Sequence, residues 1–290
     1  MELYVNKRHT KNKMGLFSKK KRCQKGFHRK GSKCVETEMK RERVTNREKQ
    51  KPLRPIIPYF GGKTKVANEI ISQFPEHDTL VEPFAGGASV YWKDTESKKF
   101  IINDKNKEVY NLYKTAKNFP KTVKSCKLNP SKSKFNKIKN KSKHSSCDTM
   151  VLHKHSFGAD GKYYANHHGL RNNTFTDLHA EKLKKTTVLN QDFRAVMRKY
   201  DTNNKTVIYL DPPYVKGGDN YKIHGVTPKE VCDAVKKLKK AKAIISYDNN
   251  PEVKRSCKGL KISTISFKYS DPKNGGISNK KKTELLIKNY

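Results

Sequence analysis

Five segments that hold short apolar runs constrain the architecture more than any other feature: TLVEPFAGGASVYW (79–92), KFIINDKNKEVYNLY (99–113), TTVLNQDF (186–193), TVIYLDPPY (206–214) and KAIISY (242–247). Each run gives way to a glycine turn, a proline pair or a stretch with helical spacing. Short β-branched runs of this kind read as strands buried on both faces. Strands alternating with helices imply a mostly parallel sheet covered on both sides, hence an α/β fold. Helical spacing recurs at Val66, Ile70, Ile71 and Phe74, at Val109, Leu112 and Tyr113, and over TPKEVCDAVKKLKKA (227–241). In the last of these Thr227 suits the N-cap and Pro228 the first turn. KISTISFKYS (261–270) and TELLIKNY (283–290) read as a terminal strand pair, and no internal repeat is visible.

Two stretches break the alternation. Residues 1–51 hold 18 Lys and Arg against five Glu, with sparse and aperiodic apolar residues, which reads as a disordered basic tail. From Tyr113 to Cys147 there are eleven lysines and no acidic residue, followed by interleaved aromatics and histidines up to Lys185. The expected organisation is a tail (1–52), a first core part (53–113), a basic insert (114–185) and a second core part (186–290). Only 33% of the chain is hydrophobic, which fits a core confined to part of it.

A formal net charge of +38 favours polyanionic partners, nucleic acid first and an anionic membrane surface second. No apolar run approaches the length of a membrane span and no signal-peptide pattern opens the chain, so a soluble cytosolic protein is expected, or a nuclear one if KKKR (19–22) is an import signal. The six cysteines lack CxxC or Cys/His ligand spacing. Free thiols and no metal are therefore expected. RCQKGFHRKGSKC (22–34) also allows a small cysteine-clamped basic knuckle.

EPFAGGAS (82–89) follows a strand and precedes a helix, a place where small residues let a ligand approach the backbone. Eighteen residues beyond Gly86, Asp104 ends the next strand, where a carboxylate can accept both hydroxyls of a ribose. Asp104 and Asp192 are equally suited to capping the helices that follow them. In YLDPPY (209–214) the prolines fix φ and remove two N–H donors, leaving Asp211 and the Pro212 carbonyl as adjacent acceptors beside the Tyr214 ring. Paired acceptors next to an aromatic face suit an amino-bearing nucleobase; a proline-stiffened loop with an aspartate cap would read the same way.

PYFGGK, VEPFAGGASV, IINDKN, LNQDF, YLDPPY, ISYD and TELLIKN occur in this order. Over about 53–113 and 186–290 the chain resembles the DNA adenine-N6 methyltransferases of bacteria, phages and large DNA viruses in which the glycine motif precedes a target-recognition segment and then DPPY. The resemblance implies a Rossmann-like methyltransferase fold with an inserted target-recognition domain, S-adenosylmethionine as cofactor, and double-stranded DNA as partner. It implies that Tyr59 and Lys63 contact the cofactor, Lys63 near its carboxylate. Glu82, Pro83, Phe84 and Gly86 would line its methionine and ribose side, Asp104 would hold the ribose, and Asp192 and Phe193 would read its adenine. Asp211, Pro212, Pro213 and Tyr214 would form the catalytic seat of the target adenine. FAGGAS departs from many relatives in carrying alanine where they have a third glycine or serine.

On that reading the acceptors draw density onto the target nitrogen, and positioning and electrostatics carry the reaction without a metal. The base would be rotated out of the duplex and stacked on Tyr214. Lysines of the insert would supply phosphate contacts, and Arg171, Asn172, Asn173, His167 and His168 are candidates for reading bases. A monomer is compatible with this reading, and a viral source with site of action in host cytoplasm, nucleus or virion fits the Lys- and Asn-rich composition. Two alternatives stand beside it: a methyltransferase fold kept as a nucleic-acid binding or packaging scaffold, and a methyltransferase acting on cytosine N4 or on RNA.

Overall fold

The computed structural model describes residues 27–30, 33–36, 52–165, 173–214, 225–268 and 281–290. Residues 1–50 and 51–290 are two separate compact units. In the first, β1 (Phe27–Lys30) pairs antiparallel with β2 (Lys33–Glu36), so regular backbone occurs within the segment read as irregular. The physical basis is local: a two-residue Gly-Ser link between two four-residue strands is a hairpin signal that composition hides. Cys23 lies outside the described residues.

The second unit is built on a seven-stranded sheet. Its strands are β3 (Thr79–Glu82), β4 (Lys99–Asn103), β5 (Thr186–Leu189), β6 (Thr206–Leu210), β7 (Lys242–Asp248), β8 (Lys261–Lys268) and β9 (Lys281–Lys288). They lie in the order β5-β4-β3-β6-β7-β9-β8. The first five are parallel, and β9 runs antiparallel between β7 and β8. All five apolar runs of the sequence are thus strands, and the terminal pair forms with Ile265 opposite Glu284.

Period-two alternation sends side chains to two cores. On one face Leu80, Phe100, Ile102, Val207 and Tyr209 pack with helices Ala67–Ile71, Ser89–Lys93 and Lys107–Asn118. On the other, Val81, Ile101, Ile208, Leu210 and Ile245 pack with helices Phe193–Tyr200, Pro228–Lys236 and Pro251–Ser256. Every residue of β3 and β6 is buried, as strands covered on both sides require.

The boundary expected at 113/114 falls inside helix Lys107–Asn118. The segment beyond it contributes helices Pro120–Lys124, Lys132–Lys139, Ser146–Lys154 and Asp177–Lys184. Their apolar residues Val123, Phe135, Ile138, Met150, Leu152 and Leu183 join the core on the Leu80 side. Helices of five to nine residues expose too few turns for their period to show among so many lysines.

Two disulfides overturn the expectation of free thiols: Cys126–Cys147 and Cys232–Cys257, with Cα separations of 5.3 and 5.2 Å. Each joins a helix residue, Cys147 or Cys232, to a cysteine just past the end of another helix, a proximity the scattered spacing cannot show. No helix among the described residues is long and apolar enough to cross a membrane.

Candidate active site

Chain order sends β3 to β4 and β5 on one side, and the return crossover places β6 against the other side of β3. The strand order therefore reverses at β3/β6, and a crevice opens beyond the carboxyl ends of the strands there. The space between its walls, counted out to the solvent at its mouth, is about 950 Å³. Its walls include Tyr59, Lys63, Glu82, Pro83, Phe84, Gly86, Asp104, Asp192, Phe193, Asp211 and Pro213, contributed by loops after four strands and by the segment before β3. Tyr59 and Pro213, 154 positions apart, thus share one cleft.

The glycine turn forms the floor. Gly86 has φ +47°, and its N–H donates to Asp104 Oδ2 at 2.7 Å. A Cβ on Gly86 would lie 2.8 Å from Tyr59 Cδ1, so glycine is required both by backbone conformation and by the ring beside it. Ala88, at φ 52°, occupies the left-handed region without being glycine and leads helix Ser89–Lys93. This is the departure noted in FAGGAS.

Asp104 Oδ1 accepts from Asn106 N at 2.8 Å. Burial raises its pKa to about 6, against the opposing pull of the Gly86 and Asn106 N–H groups. Neither bond exhausts the carboxylate, which has about four lone-pair sites. The helix Lys107–Asn118 is capped instead by Asn106, whose side chain accepts from Glu108 N. Asp192 does cap its helix, accepting from Arg194 N at 2.9 Å, while also lining the cleft. Phe193 is buried against Phe84, ring centroids 5.0 Å apart. Glu82 is buried and accepts from Tyr91 N; burial drives its pKa well above the usual carboxylate range, and the nearby charge of Asp211 adds to the rise.

Across the cleft stands Asp211, immediately after β6, with a partly exposed side chain. Lys63, almost fully buried, places its ammonium 2.8 Å from Asp211 Oδ1 and 2.9 Å from Oδ2. Lys63 lines the same cleft as Gly86 and Asp104, and in this structure its ammonium pairs with Asp211, because a desolvated ammonium needs an anion. Ser246 Oγ donates to Asp211 Oδ1 at 3.0 Å and shares a hydrogen bond with the Tyr209 hydroxyl at 2.8 Å.

Tyr214 is not presented at the cleft wall. It is buried, its hydroxyl donates to Glu284 Oε2 at 2.8 Å, and the Lys63 ammonium sits 4.7 Å from its ring centroid. Pro212 is buried as well, whereas Pro213 lines the cleft. Asn173 differs from its expected base-reading role: its Nδ2 donates to Val123 O at 2.6 Å and Lys124 O at 3.2 Å, and its Oδ1 accepts from Phe175 N. An amide committed to three main-chain bonds is tying a loop. His167, His168, Arg171 and Asn172 lie outside the described residues.

Several site residues escaped the sequence reading. Asn103 is buried between two loops, donating to Pro83 O and Gln191 O and accepting from Gln191 N. It stands in IINDKN beside Asp104, and a buried polar residue ending a strand was the available signal. His153 stacks on Tyr59 at 5.1 Å and 25°, bringing the basic segment against the cleft; no local pattern marks it.

Residues 59–270 match the family described as D12 class N6 adenine-specific DNA methyltransferase. The DNA adenine methylase of Vibrio cholerae serotype O1 is 25% identical over 267 residues, covering 79% of this chain and 94% of that protein. The DNA N-6-adenine-methyltransferase of Escherichia phage P1 is 36% identical over 75 residues, which is 24% of this chain and 10% of that protein. Among solved structures, an rRNA methylase from Streptococcus thermophilus superposes with a TM-score of 0.36 at 11% identity, covering 77% of this chain and 94% of that one. A precorrin-6y C5,15-methyltransferase from Geobacter metallireducens superposes with a TM-score of 0.37 at 10% identity, covering 78% and 87%.

Proposed function

The chain belongs to the D12 class of N6 adenine-specific DNA methyltransferases, and from that premise we propose how its own residues divide the work of methylating adenine in DNA. The enzyme uses S-adenosylmethionine, whose sulfonium supplies an electrophilic methyl group. The observation that carries the assignment of roles is the shared cleft: Asp211 faces the same space as Gly86 and Asp104, at the reversal of strand order.

The cleft suits that cofactor chemically. The 85–87 turn leaves backbone open to a ligand, Asp104 keeps free acceptor sites for a ribose diol, and the Phe84–Phe193 pair offers an apolar wall for a purine. On this assignment Asp192 reads the edge of that purine, and Tyr59 with Glu82 and Pro83 encloses the remainder.

Asp211 then accepts a hydrogen bond from the target adenine's exocyclic amine, with the Pro212 carbonyl as second acceptor. Two acceptors pull density onto a nitrogen whose lone pair is otherwise delocalised into the ring, and they favour the pyramidal geometry of attack. Asp211 is also the nearest base for the proton that nitrogen sheds once its new bond has formed. Ser246, anchored by Tyr209, fixes the carboxylate's orientation. A duplex substrate would have to release the base from its stack, at a cost of a few kcal/mol. Stacking on Tyr214 would require that ring to become accessible from its buried position. Exposed lysines of 114–143 would hold phosphates.

Mass spectrometry of nucleosides from DNA incubated with the protein and S-adenosylmethionine tests this. N6-methyladenine is expected, with Asp211→Ala losing at least about 100-fold in kcat while DNA affinity changes little. N4-methylcytosine, methylated RNA alone, or an Asp211→Ala enzyme of full activity would overturn the assignment.

A further inference from the structure

The cleft contains one contact that its role in methyl transfer does not explain. The Lys63 ammonium donates to Gly61 O at 2.6 Å and to Asp211 Oδ2 at 2.9 Å, and it stands 2.8 Å from Asp211 Oδ1 in the same ion pair. Asp211 Oδ1 additionally accepts from Ser246. The carboxylate assigned to the target amine is thus already paired with another nitrogen, a positively charged one, although its lone-pair sites are not exhausted. An acceptor paired with a cation also pulls less density from a neutral amine.

Lys63 cannot leave Asp211 for nothing, since it is almost fully buried and a desolvated ammonium must keep an anion. Among the described residues the cations lining the cleft are Lys63 and Lys105, and Lys105 is exposed. Four carboxylates line it as well: Glu82, Asp104, Asp192 and Asp211. A zwitterionic ligand that puts a carboxylate into the closed part of this cleft therefore meets Lys63 as its buried counter-charge.

We infer that Lys63 tunes the acceptor: its charge weakens Asp211 until the carboxylate of the bound cofactor draws the ammonium away, and only then does Asp211 bind the target amine at full strength. Lys63 is on this view a positioning residue, acting through Asp211, and it makes full amine recognition conditional on a loaded cofactor. The inference rests on the assignment of Asp211 as amine acceptor.

The test uses the full chain and a labelled duplex that it methylates, carrying either adenine or 2-aminopurine, which lacks the 6-amino group, at the methylated position. Affinity for the two duplexes is measured by anisotropy without ligand, with S-adenosylhomocysteine, and with saturating 5′-methylthioadenosine, which lacks the carboxylate. A lost bond to a charged acceptor makes the adenine duplex about tenfold tighter with S-adenosylhomocysteine. The preference should be smaller in the other two states. Equal discrimination with 5′-methylthioadenosine or without any ligand, or none in any state, would overturn the inference. Lys63→Gln should discriminate at full strength without ligand, and a variant that still needs S-adenosylhomocysteine counts against it. The wild-type arms decide the matter even if that variant does not fold. Failure of the underlying assignment looks different: no duplex is methylated, or Asp211→Ala methylates as well as the wild type.

Discussion

At the scale of single residues, the cleft depends on a few positions where a side chain or its absence is dictated by contact. Gly86→Ala would force a methyl group to 2.8 Å from the Tyr59 ring at φ +47°. A fold cost of about 1–2 kcal/mol is expected from the backbone alone, together with a cofactor affinity at least tenfold weaker; denaturant melts and calorimetric titration with S-adenosylhomocysteine measure the two. Ala88→Gly should do the reverse, relieving a left-handed alanine and raising stability by about 0.5–1 kcal/mol in the same melts. Asp104 gives a pH dependence with a definite sign. Its pKa of about 6 lies above the ordinary carboxylate value because burial penalises the charge. The ionised form is the acceptor of two hydroxyls, so protonation competes with the cofactor. Affinity should fall as pH drops through about 6, and Asp104→Asn should bind weakly with a flat profile between pH 5 and 8. DPPY and Asp104 stand out in the sequence because the residues that set their local geometry are neighbours in the chain. Lys63's hold on Asp211 does not, since the partners lie 148 positions apart.

At the scale of elements, the strands were the most legible part of the chain. A strand buried on both faces has few ways to be written other than as a short apolar run, and β3, β4, β6 and β7 follow that rule, whereas the edge strand β5 is buried only at Thr186. The short helices between 120 and 154 were hidden because each buries only a few residues, as with Phe135 and Ile138 in Lys132–Lys139. These helices are fastened by Cys126–Cys147, which closes 21 residues, and the opposite layer by Cys232–Cys257, which closes 25. Loop-closure entropy for links of that span is worth about 3 kcal/mol each. Cys126→Ser and Cys232→Ser should therefore each lower the denaturant midpoint measurably under oxidising conditions, and a reductant should erase the difference from the wild type. Identical midpoints with and without reductant would show that neither bridge supports the fold.

At the scale of the whole molecule, the charge of +38 is the dominant property, and on the proposed reading it serves the DNA substrate. Lys132, Lys134, Lys137 and Lys139 are exposed on one short helix. If six or more phosphates are neutralised, affinity for DNA should drop by about 10³-fold between 50 and 200 mM salt. Replacing those four lysines by glutamate should weaken binding to all sequences alike and flatten the salt slope, as read by anisotropy titrations. The composition predicted this partner without any fold, because long-range attraction depends on summed charge. By itself, the sequence determined the strands, the glycine turn, the proline-stiffened carboxylate and the basic surface, since each is set by residues close together in the chain. Only the tertiary structure decided that Tyr214 is buried, that Asn173 ties a loop, that four cysteines are bridged and that Lys63 sits on Asp211. Those outcomes depend on which distant groups share a desolvated space, and burial is a property of the packed chain rather than of any segment of it.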